Sequence, residues 1–324
     1  MNIEKLKLLV KGLIRYLPGV KNLLKKRKTG GTDESRYCYS IWMRHLINYS
    51  ATNKIIPETV AELGPGDSLG TALAALLTGT KKIYALDVIK YWDNKRNLKI
   101  FEELVILFKN KANIPDNKEY PKIRPELQDY SFPSKIISDK ILKSSLEKKR
   151  LDLIRKEIMD CNNPNNIFIS YKIPWNNTDI ISLNSIDFIY SQAVLECIDD
   201  LDSTFAVLHK WLKNNGYMSH TIDLKPHGLT NKWYGHWTFS NLEWKIIKGG
   251  RKFLVNRLPY SSYINLHLAY NFEILVKSVI KSRPIKNRNK LSKNFRNLSD
   301  EDLKISGLYI LSKKNNLKNP ENKK

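Results

Sequence analysis

The run Val60-Ala61-Glu62-Leu63-Gly64-Pro65-Gly66-Asp67-Ser68-Leu69-Gly70 holds the residue types that bind a nucleotide-like ligand. Thr59–Leu63 reads as a buried strand. Glycines where such a strand ends let a ligand approach the backbone, and a following helix offers free N–H groups. Glu62 stands two residues before Gly64. A second strand over Lys82–Leu86 ends at Asp87, 23 residues after Gly64, where a carboxylate can accept both hydroxyls of a ribose. A nicotinamide or flavin site would put its third glycine one position earlier, where this chain has Leu69, and no second dinucleotide-binding half follows.

A second concentration of chemistry lies in Ser219-His220-Thr221-Ile222-Asp223-Leu224-Lys225-Pro226-His227. His220 or His227 could take a proton from a hydroxyl acceptor, with Asp223 orienting the imidazole. The alternative makes His220 a half-buried strand residue and His227 a loop cap. A divalent ion on Asp223 and a histidine would need further oxygen ligands that the sequence does not supply, so no metal is assigned. Trp233-Tyr234-Gly235-His236-Trp237 could form an acceptor wall or a packing cluster. Asn256-Arg257 could meet an anionic acceptor or pair with a surface carboxylate.

The elements that must position these groups alternate strand and helix. Helices are expected over residues 35–49, 70–77, 201–212, 241–247 and 261–270. Strands are expected over 59–63, 82–86, 167–170, 186–190, 217–223, 272–279 and 305–311, with Ser299 capping a short helical run at 300–303. Residues 91–162 break the alternation. They read as helical at 98–108 and 142–159 around a Pro-rich middle, which makes them an insertion or lid. The pattern predicts a parallel α/β sheet with helices on both faces.

With these residues in place, the chain resembles the class I S-adenosylmethionine-dependent methyltransferases. Their first motif is matched by Glu62, Gly64, Gly66 and Gly70, and their ribose-binding acid by Asp87. Ile186 to Glu196 (IDFIYSQAVLE) resembles their fourth strand and its ending, and Leu212-Lys213-Asn214-Asn215-Gly216 the turn before their fifth. The resemblance covers residues 30–313. It implies a Rossmann-like, mostly parallel seven-stranded sheet with an antiparallel last strand. It also implies S-adenosyl-L-methionine as cofactor, held by Glu62, Gly64, Pro65, Gly66, Asp67, Gly70, Asp87 and Val88. In this family the element before the first strand commonly closes over the methionine end, so Arg36 could meet its carboxylate, and Tyr37 or Tyr39 the cofactor or acceptor; the alternative is an aromatic-rich packing helix. Two departures stand out. Ser170-Tyr171 replaces the acid expected near the adenine, and Asn176 and Asp179 are the candidate substitutes. Cys197 replaces a histidine and reads as packing.

Charge bears on partners. The formal net charge is +23, of which residues 1–32 carry +8 and residues 277–324 carry +10. The central 244 residues carry only +5, ordinary for an enzyme of small molecules. Residues 1–28 read as a basic amphipathic helix, with Ile3, Leu6, Val10, Leu13, Leu17, Val20 and Leu24 on one face and a break at Pro18-Gly19. It could lie in the plane of an anionic membrane face or pack on the domain. Richness in Lys, Asn and Ile also fits codon bias. Residues 29–313 would form the catalytic domain and 314–324 a basic tail. Three scattered cysteines, no apolar run of spanning length and no signal-peptide pattern point to the cytoplasm. The expected activity is methyl transfer to a hydroxyl of a small-molecule or glycan- or lipid-linked acceptor. The alternatives are an RNA methyltransferase, for which no RNA-binding module is found, and a non-catalytic membrane-associated protein.

Overall fold

Apolar and β-branched residues build seven strands: β1 (Thr59–Leu63), β2 (Lys82–Leu86), β3 (Ile169–Lys172), β4 (Ile186–Gln192), β5 (Leu212–Asp223), β6 (Phe272–Lys281) and β7 (Ile305–Lys314). In the computed structural model, which describes residues 3–17, 31–53, 55–161, 163–175, 178–251 and 253–315, they form one sheet in the order β3-β2-β1-β4-β5-β7-β6. Strands β1 to β5 pair in parallel, and β7 runs antiparallel to both β5 and β6. This is the expected Rossmann-like sheet with its antiparallel last strand. The order reverses between β1 and β4, and in such sheets ligands bind in the crevice outside the carboxyl ends at that reversal.

Helices cover both faces. Helices α1 (Ile3–Ile14), α2 (Ser35–Asn53), α3 (Gly70–Leu76), α4 (Asn94–Lys109), α5 (Asp139–Ser145), α6 (Lys148–Met159), α7 (Leu201–Trp211), α8 (Asn241–Lys248) and α9 (Tyr260–Ala269) occur in that order. One core, with Trp42, Tyr49, Leu73, Phe101, Phe188 and Tyr190, lies between the sheet and α2, α3 and α4. The other, with Phe205, Trp211, Met218, Ile222 and Tyr263, lies between the sheet and α7 and α9. Alternation along β5 therefore sends Ser219 and Thr221 to the first face and His220 and Ile222 to the second.

The contact of α2 with α3 depends on Gly70. A Cβ there would lie 2.4 Å from Cys38 Sγ and 2.8 Å from Ile100 Cγ2. Within the fold this glycine allows α2, α3 and α4 to pack closely.

The 91–162 segment is built into the domain. Ile114, Ile137, Leu142, Leu151, Ile154 and Ile158 all join the first core. The helix expected over 142–159 is two helices, since Glu147 is extended between α5 and α6. The buried Arg44 of α2 ties the Pro-rich middle down, donating to Pro115 O at 3.0 Å, Pro125 O at 2.8 Å and Asn117 Oδ1 at 3.1 Å. At 300–304 there is a turn instead of the expected short helix, with Asp302 N donating to Ser299 Oγ at 3.0 Å. Lys314 ends β7 instead of starting a tail. Its Nζ donates to His209 O and Leu212 O at 2.7 and 2.9 Å, at the end of α7. The proposed break at Pro18-Gly19, Val20 and Leu24, and the tail from 316, lie outside the described residues.

The apolar stripe assigned to α1 is not the side that packs. Gly12 meets α8, where a Cβ would lie 2.2 Å from Ile246 O, and Leu8 and Leu9 join the cluster around Phe239, Trp244, Ile247 and Val255. Lys5 Nζ pairs with Glu243 Oε1 at 2.7 Å. Ile3, Leu6, Val10 and Leu13 remain exposed. The close helix seam selects the side that carries the one glycine of α1.

Overpacking a core contact costs about 1–3 kcal/mol. Gly70→Val is expected to lower the urea midpoint by a corresponding amount with an unchanged denaturant slope, and a neutral result would show that α2 and α3 have room to separate.

Candidate functional site

The turn after β1 stands at the reversal of strand order. Gly64 has φ +64° and Gly66 φ +77°, conformations that other residues rarely adopt. Space is a second requirement at Gly64, where a Cβ would lie 2.7 Å from Val194 Cγ2 in the loop after β4. Gly64 N donates to Leu86 O at 2.8 Å, which joins the tips of β1 and β2. Pro65 is buried within the turn.

The first helical N–H groups are already engaged. Leu69 N donates to Asn97 Oδ1 at 2.9 Å and Gly70 N to Ser68 Oγ at 3.0 Å. The backbone of Asp67 is held on both sides, its N–H by Thr32 Oγ1 at 2.8 Å and its carbonyl by Arg96 at 2.7 Å. Ser68 Oγ also donates to Thr32 O. The segment before the sheet is therefore pinned to the glycine turn through Thr32. Thr29 and Gly30 lie outside the described residues.

Two carboxyl groups converge below this turn. Glu62 is buried on the α2 side beside Tyr190, and its Oε2 has no hydrogen-bond partner. Burial, with a contribution from the nearby Asp87, pushes its carboxyl up to about 8. Asp87 Oδ1 accepts from Val88 N at 2.7 Å and Ile89 N at 3.2 Å. Burial nonetheless pushes it up to about 6. Among the described residues no lysine, arginine or histidine forms an ion pair with either acid. The Val88 side chain is exposed at the mouth.

Arg36 is placed otherwise than expected. Its Nε and Nη2 donate to the two oxygens of Glu119 at 2.7 and 2.6 Å, so its fork already holds a carboxylate of the insertion. Tyr39 is also committed, donating to Ala112 O at 2.6 Å. Tyr37 remains near the turn, edge-on to Tyr120, with its ring against Gly31. Burial raises its hydroxyl to about 12, with further contributions from Cys38 and Glu62. Ser170 and Tyr171, read as replacing the acid that follows the third strand, lie within β3, which runs on to Lys172; Tyr171 packs on Trp92 and accepts from Tyr91 N at 3.3 Å. Asp179 is exposed, and Asn176 lies outside the described residues.

The three expected acid–base residues separate into two places. His220 is fully buried, bonded through Nδ1 to Ser191 Oγ at 2.8 Å and facing His267 of α9. Burial, then the charges His267 and His45 would carry, holds it well below the ordinary range. It is a core imidazole on the helix-covered face, which removes it from direct contact with an acceptor. His227 is partly accessible on the loop after β5. Its Nε2 lies 3.3 Å from Glu196 Oε1 and 3.9 Å from Asp223 Oδ2. Burial opposes charge on His227, but Glu196, with Asp223, outweighs it and raises the imidazole above its ordinary value. Glu196 is itself raised by burial. Asn256 fixes this loop, donating to Leu195 O and Ile198 O at 3.0 and 2.9 Å. Cys197 Sγ lies 4.0 Å from His227 Nδ1, and burial raises its thiol.

Glu196 enters the sequence reading only as a motif ending, and its partner is 31 residues away. His45 escapes the reading entirely. Buried in α2, its Nδ1 is 2.7 Å from Ser219 Oγ and its Nε2 3.3 Å from Gln192 Oε1. Burial pushes it down to about 4, so it is neutral at neutral pH. Ser219 continues to Tyr309 Oη at 3.0 Å, which lines a cavity of about 410 Å³ with Asn48, Arg124, Glu126 and Ser278.

The aromatic loop forms a packing cluster, with Trp233 and Tyr234 half-buried at its edge. Trp237 is buried with Ile285, Leu291 and Leu303, and donates to Arg257 O at 2.8 Å. Arg257 is buried between the Trp244 and Phe295 rings at 5.1 and 5.0 Å and donates to Phe239 O and Asn241 Oδ1. It pairs with neither a surface carboxylate nor an open cleft. Among the described residues no three His, Cys, Asp or Glu side chains are grouped to hold a metal, and no helix is long and apolar enough to cross a membrane.

No protein-family model matches the chain, and no curated protein matches it. Solved structures do resemble it. A SAM-dependent methyltransferase from Methanosarcina mazei is 13% identical, with a TM-score of 0.42 over 82% of this chain and 98% of that one. An S-adenosylmethionine-dependent methyltransferase from Mesorhizobium loti is 12% identical, with a TM-score of 0.40 over 82% and 97%. Phosphoethanolamine N-methyltransferase 2 of Haemonchus contortus, in complex with phosphomonomethylethanolamine and S-adenosylhomocysteine, is 13% identical, with a TM-score of 0.40 over 85% and 53%.

The raised Glu62 sets a pH dependence of folding. Its ordinary value is 4.5 and its folded value about 8, so its contribution is fully present below 4.5 and is lost as pH rises toward 8. Glu62→Gln should match the parent protein at acid pH and become progressively more stable than it up to about pH 8. A constant difference in thermal midpoint across that range would contradict the buried neutral acid.

Proposed function

We propose that this chain is an S-adenosyl-L-methionine-dependent methyltransferase that methylates a hydroxyl of a small-molecule or glycan- or lipid-linked acceptor. The observation that carries the reading is the pair of buried carboxyls, Glu62 and Asp87, around the Gly64-Pro65-Gly66 turn where the strand order reverses. Glu62 Oε2 is a buried acceptor without a partner, and Asp87 ends β2 where a ribose diol would lie. A ligand with a cationic amino-acid end and a ribose satisfies both. Gly64, Pro65, Gly66, Asp67, Asp87, Val88 and Tyr37 would surround it.

The bound cofactor supplies an activated methyl group, so this chain's own work is placement and proton removal. His227 is the group best placed to take the acceptor's proton. It is partly accessible at the carboxyl end of β5, and Glu196 and Asp223 lie on its Nε2 side to stabilise the imidazolium. His45 and Gln192 position the tip of β4 from the opposite face of the sheet.

Calorimetry with S-adenosylmethionine tests the cofactor assignment. Tight binding that Asp87→Ala weakens at least tenfold supports it, and unchanged binding refutes the ribose contact. His227→Ala should lower kcat by about 10²–10⁴ with cofactor affinity unchanged. Because Glu196 raises His227, Glu196→Gln should move the rising limb of the pH–rate profile to lower pH. A profile that stays in place would remove Glu196 from that role.

A further inference from the structure

Helix α1 presents apolar residues on two sides, and among the described residues the fold uses only one. Its inner side, Lys5, Leu8, Leu9 and Gly12, is fixed to α8 by the seam at Gly12 and the Lys5–Glu243 pair. The same inner side holds the loop that carries His227. Asn231 N donates to Glu4 Oε1 at 3.1 Å, and Leu229 packs in the cluster with Leu8 and Leu9. The outer side carries Ile3 at 71% exposure, Leu6 at 46%, Val10 at 45%, Leu13 at 54% and Ile14 at 44%. At about 100° per residue these five occupy one arc of roughly 100°, with Lys7 and Lys11 along one flank.

We infer that this outer stripe docks α1 in the plane of an anionic lipid bilayer. Three observations favour that occupant. The helix has 12 residues, about 18 Å long, too short to span but suited to lie at an interface. Lys7 and Lys11 flank the stripe, where they would meet lipid headgroups, and residues 1–32 carry a net +8. That charge opposes close pairing of two such helices and favours a surface of opposite sign. The seam with α8 needs no part of the stripe, so docking leaves the clamp on the His227 loop in place. The inference stands apart from methyl transfer and would hold for a protein of any activity.

The test is flotation of the full chain with vesicles of phosphatidylcholine alone and of equal parts phosphatidylcholine and phosphatidylglycerol. Binding to the anionic vesicles, weakened by salt and at least tenfold stronger than to neutral ones, is expected. Leu6→Glu, Val10→Glu and Leu13→Glu combined should lower that binding at least tenfold while the thermal midpoint stays unchanged, since all three side chains are exposed. Equal flotation of variant and parent would overturn the inference. So would a parent protein that is dimeric by light scattering and a variant that is monomeric, since a second copy would then be the occupant.

Discussion

The site depends on two places where a side chain is absent. At Gly64 the tip of β1 comes within van der Waals reach of Val194 after β4, and at Gly70 helix α3 comes against Cys38 of α2. The first closes the crevice between the strands that bracket the reversal. The second lets α2 lie low enough over the sheet for Thr32 to hold Asp67 and for His45 to reach Ser219 and Gln192. Larger residues at either position would part the elements that define the pocket, whatever chemistry they carry.

Burial then converts ordinary residues into tuned ones. Glu62 and Asp87 are raised because the domain removes water from them without providing a cation. His45 and His220 are held neutral for the same reason and serve as hydrogen-bonding core groups. His227 goes the other way, since two carboxylates face it. Three histidines in one domain thus divide between two roles through depth and neighbours alone.

The sheet was legible in the sequence because its signals are local. Alternating strand and helix, glycines at a strand end and an acid 23 residues later all fall within short windows. What was missed depends on contacts between distant segments. His45 sits in a helix with no readable pattern, as α2 is buried on nearly every side, and its partner Ser219 is 174 residues away. Arg36 was matched to a cofactor carboxylate because Glu119 lies 83 residues on, in a stretch with no motif. For α1, period alone finds the apolar stripe, whereas the bare backbone of Gly12, on another side, decides where a neighbouring helix can approach.

The unpaired Oε2 of Glu62 has a consequence for whatever enters beside it. With its carboxyl raised to about 8, it holds a proton at neutral pH. A cation arriving next to it favours the ionised form, so the proton must leave as the cation settles. Proton and cation oppose one another, and the affinity of this pocket for a positively charged ligand is tied to the proton concentration of its surroundings.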